Sequence, residues 1–310
     1  IYSFQIYPEL LAGATNLIFL YFLTAKPEIK INAIITSVLA SLIFWFNTRY
    51  LFFSIAYIIL FFYNFGFSNK KRIIVIIIPF ILSLILFLTV NFIIYGSFSI
   101  SANTMNQESR FFGAEIYKTL FGLLFDQHFG VLIYAPFIIY FIFELILSYR
   151  EFKNIIILII CYALPLAFYT ENWFGGYSPP FRLLIPIMPA LFVAGYYAYF
   201  KLLNVLISKW IFYMMLFYGI IMSIILTAAP VLLYNDRFNG NNQALEKIYW
   251  YSGINLVNYF PRFIWRYGQI NYLSYKLTAI YLIIIIILFF IYSFEVKKNA
   301  DGIINCHSNI

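Results

Sequence analysis

The chain has 310 residues, of which 64% are hydrophobic and only 10% are charged; a soluble domain carries about 25% charged residues. That balance excludes a soluble globular enzyme. The net charge of +8 does not point to nucleic acid, because the basic residues sit in short segments between apolar runs, where they set orientation in a bilayer.

The pattern predicts an all-α polytopic membrane protein. Apolar runs of roughly spanning length fall at about 6–24, 31–47, 51–67, 73–95, 131–148, 155–170, 183–200, 210–230 and 274–294. Several are at the short end of the range, and the pair 31–47 and 51–67 is open to a kinked or partly re-entrant reading. With alternating spans, Lys26, Lys30, Lys70, Lys71, Arg72, Arg150, Lys153, Lys201, Lys209, Lys297 and Lys298 all fall on one side. The positive-inside rule makes that side the cytoplasm, so the C-terminus is expected there, in a multi-pass protein of the cell membrane. The other side receives 96–130, 231–273 and the short breaks holding Arg49 and Arg182. The expected organisation is a transmembrane helical domain over 1–230, an outer interfacial cap over 231–273, and a final span with a short cytoplasmic tail over 274–310. The cap is expected to lie on the membrane through Trp250, Trp265 and Tyr267.

This topology puts Ile1 outside, yet the chain starts without Met and has no signal peptide. A fragment lacking an N-terminal helix and first outer loop is the expectation. An N-out protein with a trimmed start is the alternative.

Cysteine and histidine are sparse. Cys161 lies inside a span and Cys306 in the tail, expected to be disordered, and His128 and His307 fall on opposite sides. No zinc or di-metal cluster can be built from these residues, so no metal or cofactor is expected. A Walker loop, a GxGxxG and a GxSxG are all missing, which removes support for nucleotide hydrolysis and serine esterase chemistry.

The segment 171–189, ENWFGGYSPPFRLLIPIMP, is too rich in Trp, Gly and Pro to be a simple connector. Its Gly pair allows close backbone approach, and its Pro pair stiffens the exit. Arg182 stands where the next helix enters lipid, and phosphate is a common reason to hold a guanidinium there. Glu9, in IYPEL, follows Pro8 at the start of the first span. It reads either as a helix-start carboxylate or as a site carboxylate facing an outer cavity. Arg49, in FWFNTRYLFF, reads either as an interfacial arginine snorkelling beside Tyr50 and Trp45 or as a phosphate contact. The stretch 120–136, LFGLLFDQHFGVLIYAP, predicts an interfacial helix that dips and turns at Gly130. Asp126 and His128 in it are a helix-start cluster or a general base for an acceptor.

The loop Trp173-Phe174-Gly175-Gly176-Tyr177-Ser178, with Phe181-Arg182 and Pro186 to Pro189, resembles a bacterial pattern of roughly W-x-G-G-x-S-x-G-x-R before a Pro-rich helix start. GLLFDQHFGVLIYAP resembles the segment that precedes it in the same proteins, and IYPEL is similar to their segment after the first outer loop. These are membrane glycosyltransferase-like proteins of the GT-C class, akin to protein O-mannosyltransferases and aminoarabinose transferases. The resemblance covers most of residues 1–195. The chain departs from it at Pro179-Pro180, where the pattern has a third Gly.

The resemblance implies many transmembrane helices around a cavity open to the outer leaflet. It implies transfer of a sugar from a polyprenyl-phosphate-linked donor to a glycan, lipid or protein acceptor outside the cytoplasm. Such enzymes usually carry an essential Asp or Glu in the first outer loop, which is expected to lie upstream of Ile1. Within the chain, Glu9, Asp126 and His128 are then the catalytic candidates. Arg49, Arg182, Trp173, Gly175, Gly176 and Tyr177 are the substrate-binding ones. Cations at the interface stabilise a departing phosphate, and Trp173 and Tyr177 offer apolar faces to a sugar. Two other classes stay open. A flippase of lipid-linked sugars would carry ionisable residues deep in its spans, where Glu144 is the clearest. A non-catalytic assembly protein would use the loop only for packing.

Overall fold

The structure, a computed structural model, describes residues 8–24, 29–67, 69–99, 116–167, 182–228, 242–255, 257–261, 263 and 272–307, with backbone alone at 116–118, 167, 244, 272 and 300–307. The described residues are helical, with no strand among them. In chain order the helices are α1 (Pro8–Thr24), α2 (Ile29–Phe46), α3 (Leu51–Phe65), α4 (Lys70–Tyr95), α5 (Ile116–Phe125), α6 (Val131–Tyr134), α7 (Ile138–Leu147), α8 (Lys153–Ala167), α9 (Met188–Leu202), α10 (Leu206–Ala228), α11 (Gln243–Ser252) and α12 (Tyr272–His307). Three 3-10 turns, Thr48–Tyr50, Arg182–Ile187 and Val257–Tyr259, join or precede them. Hydrocarbon offers no partners to peptide groups, so an apolar chain in lipid satisfies its backbone within helices.

Among the described residues six stretches have the length and apolarity to cross a bilayer: 29–46, 48–65, 70–95, 182–202, 206–228 and 273–299. α1, α7 and α8 are apolar but shorter. The described residues are those of an all-helical membrane protein. The run expected as one span at 131–148 is broken. α6 ends at Tyr134, Ala135 leaves helical geometry at φ −138° and ψ 63°, and α7 starts at Ile138. Pro136 explains the break, because its ring disfavours helical geometry at the residue before it. The C-terminal tail also differs from expectation: α12 continues as one helix to His307.

The described residues pack as two compact units. The first comprises Ile1–Ile116, Arg150–Glu171 and Ile185–Ala190. In it α2 packs on α1, α3 and α4, and α3 on α8. The buried face of α2 is built from small and polar residues, Asn32, Ala33, Thr36, Ser37, Ala40 and Ser41, followed by Ile43 and Phe44. Lipid tails are as apolar as leucine, so helices in a bilayer associate by close approach over small side chains. Trp45 Nε1 donates to Ser83 Oγ (2.8 Å), and Ser83 Oγ donates to the Ser41 carbonyl (2.6 Å), tying α2 to α4. α4 buries only Ile76, Phe87 and Asn91, and its remaining surface is apolar and exposed or half-exposed. It ends at Gly96, whose φ of 71° is the left-handed geometry that glycine adopts without cost.

The second unit comprises Tyr117–Tyr149, Asn172–Leu184 and Leu191–Ile310. Here α7 seats its rings on glycines. A Cβ on Gly195 would stand 2.6 Å from the Phe141 ring, and one on Gly219 would stand 3.2 Å from Phe137. The ends of α7, α9 and α10 are fastened by a polar seam on α12. Glu144 is fully buried; its Oε1 accepts from Lys201 Nζ (2.6 Å) and Ser148 Oγ (2.5 Å), and its Oε2 accepts from Tyr292 OH (3.1 Å). Glu295 caps the start of α10, accepting from the N–H groups of Ile207 and Ser208 (both 3.0 Å) and from Ser208 Oγ (2.5 Å). A carboxylate there meets unpaired N–H groups and the positive helix end. Asn299 Nδ2 donates to the Asn204 carbonyl. Tyr292, Glu295 and Asn299 lie three and four residues apart, on one face of α12.

Removing one partner of a buried ion pair leaves an uncompensated charge. The Lys201 side chain is 37% exposed and that of Glu144 is 1% exposed. Lys201→Met is therefore expected to destabilise by about 2–3 kcal/mol, somewhat less than a wholly buried pair would lose. Thermal unfolding in detergent micelles checks this. The double variant Lys201→Met, Glu144→Gln should recover most of the lost midpoint.

Candidate functional site

Pro8 opens α1, where its missing N–H is no loss, and Glu9 follows in the first turn, fully buried. Glu9, Gly13 and Asn16 are spaced four and three apart and share one face of α1. A Cβ on Gly13 would stand 3.3 Å from Pro189 Cγ and 3.4 Å from the Ile185 carbonyl oxygen. Asn16 Nδ2 donates to the Pro186 carbonyl (2.8 Å), and Tyr57 OH donates to Asn16 Oδ1 (2.5 Å). The Tyr57 ring stacks on Phe19 at 4.1 Å. Glu9 thus begins a polar line along α1 against the proline-rich stretch 185–189. Asn16 and Tyr57 were not among the residues the sequence singled out. Their signal was available: an amide inside an apolar helix requires a partner.

Arg49 occupies the 3-10 turn between α2 and α3, so this pair is two helices joined by a polar corner. Asn47 caps the turn, its Oδ1 accepting from both the backbone N–H (3.2 Å) and Nε (3.1 Å) of Arg49. That double contact aims a half-buried guanidinium, and among the described residues the remaining Arg49 donors have no partner. Arg182 starts the 3-10 turn Arg182–Ile187 and is also half-buried. It belongs to the second unit, whereas Glu9 and Arg49 belong to the first. Trp173, Gly175, Gly176 and Tyr177 lie outside the described residues.

Asp126 and His128 stand where the sequence places a turn after a short helix. α5 ends at Phe125, residues 127–129 turn, and α6 starts after Gly130. Only glycine fits at 130: a Cβ there would be 2.5 Å from the Asp126 nitrogen. Asp126 is fully buried. Its Oδ1 accepts from the N–H groups of His128 (2.8 Å) and Phe129 (3.2 Å), and its Oδ2 accepts from that of Phe263 (2.7 Å). Burial pushes its carboxyl up from the ordinary value, while nearby His128 and the three backbone donors pull it back. The Gln127 N–H donates to the Pro261 carbonyl (2.9 Å), and Asn242 Nδ2 donates to the Gln127 carbonyl and to Tyr134 OH. Asn242 also caps α11, accepting from the Leu245 N–H (3.2 Å). The 126–130 turn is bolted to the segment 242–263.

No family model, curated protein or solved structure matches the chain. What the site can do therefore rests on its own chemistry. Among the described residues no three of His, Cys, Asp and Glu come together as a metal site. Cys161 is a half-buried free thiol within α8, and the Cys306 side chain lies outside the described residues. The first unit offers a buried carboxylate and an oriented guanidinium. The second offers Arg182 and the buried Asp126–His128 turn.

Asp126→Asn keeps an oxygen for His128 and Phe129 but turns an NH2 toward the Phe263 N–H. Loss of that charged acceptor is expected to cost about 1–3 kcal/mol. Residues 242–263 should then be cleaved by added protease roughly tenfold faster or more, since local opening sets the rate. Limited proteolysis of the reconstituted protein measures this.

Proposed function

We propose that the protein transfers a glycosyl group from a polyprenyl-phosphate-linked donor to a glycan, lipid or protein acceptor on the extracytoplasmic side, as a GT-C-like membrane enzyme. The observation that carries this reading is Arg49. Its guanidinium is held by Asn47 at a helix break, with donors left for an anion, and phosphate matches its fork geometry. Arg182, in the segment that resembles the GT-C loop, is the second cation assigned to donor phosphate. Trp173, Gly175, Gly176 and Tyr177 are assigned to the sugar.

In the reaction an acceptor hydroxyl oxygen attacks the anomeric carbon. The bond from that carbon to the phosphate oxygen breaks, and polyprenyl phosphate leaves with the electron pair. The acceptor proton passes to a base. Asp126 and Glu9 are the in-chain candidates for that role, and the Asp126 oxygens also accept three backbone N–H groups. His128 is the third candidate. Cationic contacts act on the charge that builds on the leaving phosphate.

One observation favours a second reading. Glu144, fully buried, pairs with the partly exposed Lys201 within apolar helices, and a flippase of lipid-linked sugars would need such a charge pair. Both carboxylate oxygens are already occupied by Lys201, Ser148 and Tyr292, which suits a fixed tether better than a cycling site.

Losing one charge-assisted phosphate contact costs about 1.5–3 kcal/mol, a roughly ten- to hundredfold loss. Arg49→Ala and Arg182→Ala should each reduce acceptor-dependent release of polyprenyl phosphate from reconstituted protein by that factor. Lys298→Ala, on the exposed far end of α12, should leave it unchanged. Unaltered release in both arginine variants overturns the reading. Movement of the intact lipid-linked sugar between leaflets, without cleavage, establishes the flippase instead.

The proposal includes nine crossings in the cell membrane, with α1, α7 and α8 as short spans and the C-terminus in the cytoplasm. Phe67→Cys should then resist an impermeant thiol reagent in intact cells and react after permeabilisation, whereas Tyr251→Cys should react in intact cells. Reaction of residue 67 from outside reverses the orientation.

A further inference from the structure

α11 is turned the wrong way for a helix in water. Leu245 is fully buried, and with Val257 it packs against Met222 and Leu226 of α10 and Ile133 and Tyr134 of α6, while Ile248 packs against the same cluster. At 100° per residue, the side opposite Leu245 carries Lys247, Trp250 and Tyr251. Trp250 is 82% exposed and Tyr251 is 90% exposed. Ile254, just past the helix end at Gly253, is 57% exposed. An amphipathic helix in water shows its polar side outward, but this one sets an indole and a phenol there beside Gln243 and Lys247.

The contacts on the inner side fix how deep this helix sits. Met222 and Leu226 lie in the last two turns of α10, a membrane-spanning helix that ends at Ala228. The adjoining segment meets α12 in the same way. Tyr281 OH donates to the Tyr259 carbonyl (3.0 Å), and the Tyr281 ring stacks on Phe260 and Phe125. Tyr281 is nine residues into α12, which is about 13 Å along a helix. So α11 sits against the last two turns of a spanning helix, at the level of the lipid headgroups, and Tyr259 and Phe260 meet α12 about 13 Å from its start.

From this we infer that the outward side of α11 is a lipid-binding surface, with Trp250 and Tyr251 immersed in the headgroup and upper acyl region at that end of the bilayer. Trp and Tyr prefer that zone because one end of each ring system is apolar and the other makes hydrogen bonds. Lys247 lies between them and reaches to phosphate, as an interfacial lysine does. The occupant is the bilayer that holds α10, since that helix fixes α11 and is long and apolar enough to cross it. Because the 126–130 turn is hydrogen-bonded to residues 242–263, the lipid surface also sets the position of that turn. The inference does not depend on glycosyl transfer.

The test uses the full chain in liposomes, with Cys161→Ser and Cys306→Ser as background and nitroxide labels on Lys247→Cys, Trp250→Cys and Tyr251→Cys in turn. Collision with oxygen reports lipid, and collision with a water-soluble nickel chelate reports solvent. Labels at 250 and 251 should meet oxygen more readily than nickel, with 247 between. Dominant nickel access at 250 and 251 overturns the inference in favour of water, and exclusion of both reagents overturns it in favour of a covering protein segment. Trp250→Phe, which preserves the inner face, is the second measurement. It should remove part of the tryptophan emission quenched by lipids brominated near the headgroup, and unchanged quenchable emission overturns the inference.

Discussion

A polar side chain inside a bilayer finds no water, so it pairs with another part of the same chain. Most of what fastens this protein follows from that constraint. Asn16 meets the Pro186 carbonyl and Tyr57, Ser83 meets Trp45 and the Ser41 carbonyl, and Glu144 meets Lys201, Ser148 and Tyr292. All but the Glu144–Ser148 contact join segments far apart in sequence. Apolar burial cannot choose among helices that are greasy on every side, whereas a carboxylate with one available ammonium can.

The same constraint separates the polar groups by role. Glu144 and Asp126 have their oxygens filled by fixed donors and act as fasteners. Arg49 is aimed by Asn47 and keeps donors in reserve. A group that is both oriented and unsaturated suits an incoming ligand, because orientation lowers the entropy lost on binding.

Much of the helix inventory was legible in the sequence. Most of each anticipated apolar run is helical where it is described, because length and composition suffice for a helix in lipid. The turn at Gly130 was legible too, since glycine beside Asp-Gln-His marks a tight corner. The break at Ala135 was missed although Pro136 announced it, because the apolar run on either side looked continuous. The extension of α12 was missed because its charged residues read as a solvated tail, yet Glu295 and Asn299 have partners on the α9–α10 turn. Pairings such as Asn16 with Pro186 were illegible for a deeper reason. Periodicity shows which face of a helix is polar but not which distant segment meets it.

α12 has one more property that follows from its size. A helix of 36 residues is about 54 Å long, while the hydrocarbon layer is about 30 Å thick. Part of α12 therefore projects beyond the hydrocarbon, and the polar seam of Tyr292, Glu295 and Asn299 lies toward its C-terminal end. The turns there form a rigid mast, keyed against rotation by Glu295 and Asn299. A twist applied to the mast is delivered to the α9–α10 hairpin as torque, because α12 cannot spin without pulling the carboxylate off the first N–H groups of α10.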